Sequence, residues 1–377
     1  MPVSRRNFLQ AAGSGVAFAA SGLTAWASSP EPRHDRSGAG PVLLDSNENP
    51  HGPFPSVLNA IRNAASTSSR YPFRATPALT EKIAALHHVQ ANQVLLGCGS
   101  TELLYIAAAT FLAPGKKLMV ASPTFETMET QAKLLGADVI ALPLTTDYAH
   151  DLDGMLERVD SSTALIYICN PNNPTASLTP RKKIDAFLEK LPKHVMVLID
   201  EAYHHFVRES SMYASFLDQP LQDERVIVCR TFSKIYGLAG LRVGYGVGTA
   251  PMIARMSPHA MEMSVNTIAV AAASVAIDDE KSMQHAVKVN NDARQEFFNQ
   301  AVSRMLAPID SQANFVMIHA YQGADAVIEH FRKNNVLVGR KFPPMTQHVR
   351  VTLGTESEMR AFWRVWDMMP RSDKMKM

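Results

Sequence analysis

Val226-Ile227-Val228-Cys229 delivers the chain into Arg230-Thr231-Phe232-Ser233-Lys234-Ile235-Tyr236-Gly237-Leu238-Ala239-Gly240-Leu241-Arg242, and the Gly-rich apolar run Val243 to Gly248 carries it away. Short apolar runs of this kind read as buried strands. Between them a lysine stands at a strand end among small residues, with an arginine eight positions on. That placement suits an imine-forming lysine beside a cationic anchor for an anion. A surface lysine in a loop, followed by a structural arginine, has the same local sequence. The decision falls to the rest of the chain.

Upstream the pattern repeats. Apolar runs recur at Val94–Leu96, Leu118–Ala121, Val139–Leu142, Ala164–Cys169, Val195–Ile199, Val226–Cys229 and Val243–Val247. Helical segments lie between several of them, at Thr101–Leu112, Thr124–Leu135 and Pro180–Leu191. Such alternation predicts an α/β fold whose large domain is a mostly parallel seven-stranded sheet flanked by helices. Before it, Leu43 to Pro53 reads as an extended arm, followed by a helix at Pro55–Ala65. After about residue 250 the rhythm changes. A long helix over Asn266–Met305 precedes strands at 314–319, 336–339 and 349–353 and helices at 324–334 and 356–369. That is a smaller α+β layer, formed by the N-terminal arm and the C-terminal part. The resulting division is a linker and arm over 28–75, a cofactor-binding domain over 76–265, and a connecting helix with a small domain over 266–377.

In the 377-residue chain, 46% apolar and 19% charged residues with a net charge of +2 describe an ordinary globular protein, with no charge excess to favour nucleic acid or a membrane surface. Cys98, Cys169 and Cys229 have no metal-like spacing and read as buried thiols. His87-His88 and His204-His205 lack companion ligands at suitable spacing, so they read as surface or packing residues and no metal is expected.

In a parallel sheet the residues just past each strand face the ligand. After the first run, Gly97-Cys98-Gly99-Ser100-Thr101-Glu102 opens a helix, a ready anion cradle or a plain helix cap. Glu102 stands where a dinucleotide fingerprint needs its third glycine. Pro123-Thr124-Phe125 offers a ring for stacking or for the core. Asn170 to Thr175 is a rigid polar turn in which Asn173 can donate to a phenolate-like oxygen. Asp200-Glu201-Ala202-Tyr203 ends a buried strand in a carboxylate, which is costly unless it meets a cation or caps a helix. A protonated pyridine nitrogen is one such cation, and Tyr203 lies within reach of the same ring.

These motifs, together with Asn47-Glu48-Asn49-Pro50, Arg70-Tyr71-Pro72 and Val349-Arg350-Val351-Thr352-Leu353-Gly354-Thr355, fall in one order along nearly the whole chain. The series resembles the fold-type I aminotransferases (class I/II) that use pyridoxal 5′-phosphate, above all their histidinol-phosphate aminotransferase branch. The resemblance implies a ping-pong transaminase in which Lys234 carries the cofactor and then moves protons. It implies that Asp200 pairs with the pyridine nitrogen, that Asn173 and Tyr203 hold the ring oxygen, and that Phe125 stacks on the ring. Ser100, Thr101, Thr231, Ser233 and Arg242 would grip the phosphate, with Tyr71 reaching it from the second subunit of a homodimer. Arg350 would clamp the substrate carboxylate, Asn49 would line the substrate side, and Arg340 would meet a second anionic group or simply be solvated. Three positions depart from the family pattern: Ala176 for glycine, Phe125 for tyrosine, and His204-His205-Phe206 after Tyr203.

A decarboxylase or lyase on the same scaffold is the rival reaction, and a non-catalytic binding protein the remote one. At the N-terminus, Ser4-Arg5-Arg6-Asn7-Phe8-Leu9, a small-residue apolar stretch from Ala11 to Trp26 and Ala25-Trp26-Ala27 follow in turn. This resembles a twin-arginine export signal over residues 1–27. It implies the twin-arginine machinery as a partner, a periplasmic or otherwise exported enzyme, and no stable membrane anchor.

Overall fold

The computed structural model describes residues 40–208, 210–218 and 223–369. The twin-arginine-like segment lies outside the described residues. The arm enters as β1 (Val42–Leu44) and leads to helices α1 (Pro55–Ala65) and α2 (Ala75–Leu86). The central sheet then builds from β2 (Val94–Gly97), β3 (Lys117–Ser122), β4 (Asp138–Pro143), β5 (Thr163–Cys169), β6 (Met196–Asp200), β7 (Val226–Thr231) and β8 (Gly244–Val247). Their spatial order is β2-β8-β7-β6-β5-β3-β4. Only β8 runs against its neighbours β2 and β7, and the other pairings are parallel. The seven apolar runs are the seven strands.

The two faces of this sheet are read from alternation. Val197 and Ile199 of β6, with Val226 and Val228 of β7, enter one hydrophobic cluster, whereas Leu198, Ile227 and Cys229 enter the other. Period-two alternation with both faces apolar is what a sheet covered on both sides requires. Helices α3 (Ser100–Phe111), α4 (Thr127–Leu134), α5 (Leu152–Arg158) and α6 (Arg181–Lys190) fill connections between strands, and α7 (Ala250–Met256) follows β8. Cys169, Asp200 and Cys229 lie side by side in register across β5, β6 and β7. The carboxyl edge of the sheet is therefore level, and the loops that leave it converge.

The predicted long helix is two helices, α8 (Thr267–Asp278) and α9 (Glu280–Ser303). Asp279 breaks it: its backbone leaves the helical region at ψ 60°, and its carboxylate accepts from Ser282 N at 3.1 Å and from the Ser56 hydroxyl. An aspartate is a better N-cap than a mid-helix residue. Beyond α9, β9 (Phe315–His319) pairs antiparallel with β11 (His348–Thr352), while β10 (Val336–Val338) pairs parallel with β1 of the arm. Helices α10 (Ala324–Lys333) and α11 (Glu356–Asp367) close this layer around Phe331, Phe362 and Trp366. Ala176, where the resembling family has glycine, is fully buried with φ 59°. The turn thus keeps the left-handed conformation at a cost of about 1 kcal/mol.

Candidate active site

Lys234 lies in the short return from β7 to β8, so the antiparallel step in the sheet is also what presents the lysine. Its Nζ donates to the Asn47 carbonyl at 2.9 Å and to that of Ser46 at 3.4 Å, both on the arm. Burial, reinforced by the Arg350 and Arg242 charges, lowers its pKa from 10.5 to about 8. The arm is held close by a bare glycine. A Cβ on Gly237 would fall 2.4 Å from the Gly52 carbonyl oxygen.

Asp200 ends β6 almost fully buried. Its Oδ2 accepts from the Tyr167 hydroxyl at 2.9 Å and its Oδ1 from Ala202 N at 3.0 Å. Both donors are neutral, and burial pushes the carboxyl up to about 6. Tyr167 escaped the sequence reading, although a hydroxyl inside the aliphatic run Ala164–Cys169 was its signal. The neighbouring Glu201 meets Arg230 at 2.9 Å, and its Oε2 accepts from the Ser215 hydroxyl at 2.7 Å. A buried ion pair thus anchors the strand end behind Asp200.

At the other end of the cavity α3 begins at Ser100, with Gly99 (φ 73°) before it and no side-chain cap. The first-turn amides have no intrahelical acceptor, and the helix dipole favours an anion there. Arg242, left-handed at φ 57°, brings its guanidinium to the same spot, with Nη1 3.4 Å from Ser233 Oγ. The fit is tight. A Cβ on Gly99 would sit 2.4 Å from Arg242 Nη2, and one on Gly244 would sit 2.4 Å from Ser100 N. Gly99→Ala should therefore displace Arg242 and weaken phosphate-ester binding by about tenfold or more, the scale of one charge-assisted hydrogen bond. Isothermal titration with pyridoxal phosphate checks this against pyridoxal, whose binding should change far less.

Between these ends, Arg350 Nη1 donates to Asn173 Oδ1 at 2.7 Å and Nη2 to the Asp45 carbonyl at 2.6 Å. Its Nε is buried without a hydrogen-bond partner, and burial holds its pKa down at about 10. With Oδ1 engaged, Asn173 keeps its amide nitrogen for a ligand. Tyr203 Oη accepts from Asn47 Nδ2 at 3.0 Å, and burial raises its pKa well above that of an ordinary phenol. Asn47 is nearly inaccessible, with φ 54°, and its carbonyl also accepts from Asn314 Nδ2 at 3.1 Å. The arm lines this cavity with Asp45, Ser46, Asn47 and Glu48, and Asn49 is not among the lining residues.

Of the fourteen predicted site residues, twelve line one cavity of this chain and two, Asn49 and Tyr71, lie outside it. Asn49 turns away, its Nδ2 donating to the Ile235 carbonyl at 2.9 Å beside a different, small pocket. Its sequence neighbourhood gave no hint of which asparagine of the pair would face inward. Tyr71 is 73% exposed, its ring centroid lies 5.6 Å from that of Phe73, and it lies outside the cavity of its own chain. Ser100, Thr101, Phe125, Asn173, Asp200, Tyr203, Thr231, Ser233, Lys234, Arg242, Arg340 and Arg350 all line one cavity of 580 Å³. His87, His204 and His205 instead turn ring nitrogens to Tyr245, Tyr213 and Tyr236. Cys98 is half-buried rather than buried.

The description of class I and II aminotransferases matches residues 39–365. The chain belongs to that family. It is 38% identical over 331 residues to histidinol-phosphate aminotransferase 1 of Nitrosococcus oceani, covering 86% of this chain and 88% of that one. It is 35% identical to the histidinol-phosphate aminotransferase of Geobacillus thermodenitrificans, covering 84% and 87%. Among solved structures, the histidinol-phosphate aminotransferase of Sinorhizobium meliloti with pyridoxal 5′-phosphate superposes with a TM-score of 0.80 at 26% identity, covering 88% and 90%. The enzyme is a transaminase, and its cofactor is pyridoxal 5′-phosphate. The cavity suits that cofactor at each end: a buried carboxylate with only neutral donors for the ring nitrogen, and a helix N-terminus with an arginine for the phosphate.

Proposed function

We propose that this transaminase uses Lys234, Asp200 and Tyr203 as its central groups and binds its cofactor between Asp200 and the Ser100–Arg242 cradle. The observation that carries the reading is the convergence of Lys234, Asp200, Asn173, Tyr203 and Arg242 on one cavity. Pyridoxal phosphate, when bound, supplies an electron sink for the negative charge that develops at the donor's Cα. Asp200 would keep the ring nitrogen protonated, and Asn173 Nδ2 and Tyr203 Oη would hydrogen-bond the ring oxygen. Phe125 would pack against the ring. Ser100, Thr101, Thr231 and Ser233 would donate to the phosphate, while Arg242 would neutralise it. Lys234 Nζ would hold the cofactor and supply the amine that takes up and returns the donor's proton.

Arg350, which lines the cavity, would orient the donor through an anionic group. Histidinol phosphate and ordinary α-amino acids both carry a suitable anion, so the reading embraces both donor types. The exposed Tyr71 belongs, in this reading, to the cavity of a second copy, making the enzyme a homodimer. The N-terminal segment directs it through the twin-arginine route to the periplasm or beyond, already folded around its cofactor.

The test is product stoichiometry. With a range of amino donors and 2-oxoglutarate, glutamate should appear in equal amount to the donor's oxo product. Release of carbon dioxide or free ammonia in its place would refute transfer and favour the decarboxylase or lyase.

A further inference from the structure

Arg340 stands in the cavity wall just beyond β10, but its charge is already engaged from outside. Its Nη2 pairs with Glu126, which follows the cavity residue Phe125 and opens α4, while Nη1 donates to the Lys341 carbonyl at 2.9 Å. Phe342 organises both arginines of the cavity. The Arg340 guanidinium lies 4.3 Å from its ring centroid and that of Arg350 4.7 Å. Contact with one ring holds two cations at two depths, one buried and one about half exposed. The mouth pair is about half exposed on both sides, 54% and 50%. Glu126 is not among the residues that line the cavity. What it controls is whether the outer arginine is free.

We propose that Glu126 is a specificity-determining residue: it holds Arg340 against the mouth and taxes substrates whose second anionic group must take Arg340 from it. A neutral side chain leaves the pair intact. A distal carboxylate or phosphate must break it, then regain a charge-assisted contact with the same Nη2. The net preference is the difference between two ion pairs in similar solvent, which keeps it small and tunable. This inference rests on the reading of Arg340 as the contact for a second anion. It adds that the preference is set by a residue outside the cavity.

A matched pair of acceptors tests it in the holoenzyme, 2-oxoglutarate with a distal carboxylate and 2-oxopentanoate with none. The quantity read is the ratio of their kcat/KM values. Glu126→Gln should raise that ratio roughly two- to fivefold at low salt, the range of a half-exposed ion pair. High salt should erase most of the difference by screening. Arg340→Gln should lower the ratio, and adding Glu126→Gln to it should change the ratio no further. If Arg340→Gln lowers the ratio but Glu126→Gln leaves it unchanged or lowers it, the role of Glu126 is overturned while that of Arg340 stands. If Arg340→Gln leaves the ratio unchanged, the reading of Arg340 fails and the inference falls with it.

Discussion

Lys234→Ala should abolish transamination, with kcat down by at least about 10³-fold, because in the proposed mechanism one amine serves as both covalent anchor and proton carrier. The near-visible absorbance of lysine-bound pyridoxal phosphate should vanish with it. Folding should not suffer. The substitution removes a cation that burial disfavours, and the Asn47 carbonyl that accepts from Nζ keeps its bond from Asn314. The wild-type protein should also show a particular pH dependence. Its lysine titrates near 8 rather than 10.5. The neutral amine is the nucleophile, so cofactor capture by the cofactor-free protein should accelerate as pH rises, with a midpoint near 8 and a plateau above. Stopped-flow absorbance measures it. A midpoint at 10 or above would mean that the lysine is solvated and the cavity does not enclose it.

Asp200→Asn should lower kcat by about 10²- to 10³-fold, the scale of losing one preorganised electrostatic partner of developing charge. The substitution is nearly isosteric and the site can accommodate it. Ala202 N–H needs an acceptor, which the amide oxygen provides, and the Tyr167 hydroxyl can rotate to accept from the amide nitrogen. What disappears is the negative charge. In the proposed site the ring nitrogen would then lose the partner that keeps it protonated, and the electron sink would weaken. Spectra of the bound cofactor recorded alongside initial rates separate this from simple loss of binding. Unchanged rates with saturating cofactor would exclude Asp200 as the ring-nitrogen partner.

Much of this architecture was legible in the chain because its signals are local. Each strand of the sheet is a short apolar run, and the site residues follow the strand ends that a parallel sheet brings level. Lys234, Asp200 and Arg242 could be placed together for that reason, and the resemblance to the aminotransferases gave them their roles. Asn47 and Asn49 could not be told apart, since both sit in one polar turn and only the left-handed backbone at Asn47 decides which points inward. Tyr167 was hidden by its own strand, where it looked like one more core aromatic. The split at Asp279 depended on the hydroxyl of Ser56, 223 residues away, which no helical periodicity reports. The Glu126–Arg340 pair likewise joins residues 214 apart.

Borohydride reduction of the protein loaded with pyridoxal phosphate, followed by peptide mass mapping, locates the lysine that holds the cofactor. One cofactor-derived mass increment per chain is expected, on the peptide containing Lys234. An increment on any other lysine, with Lys234 unmodified, would contradict the role proposed for Lys234.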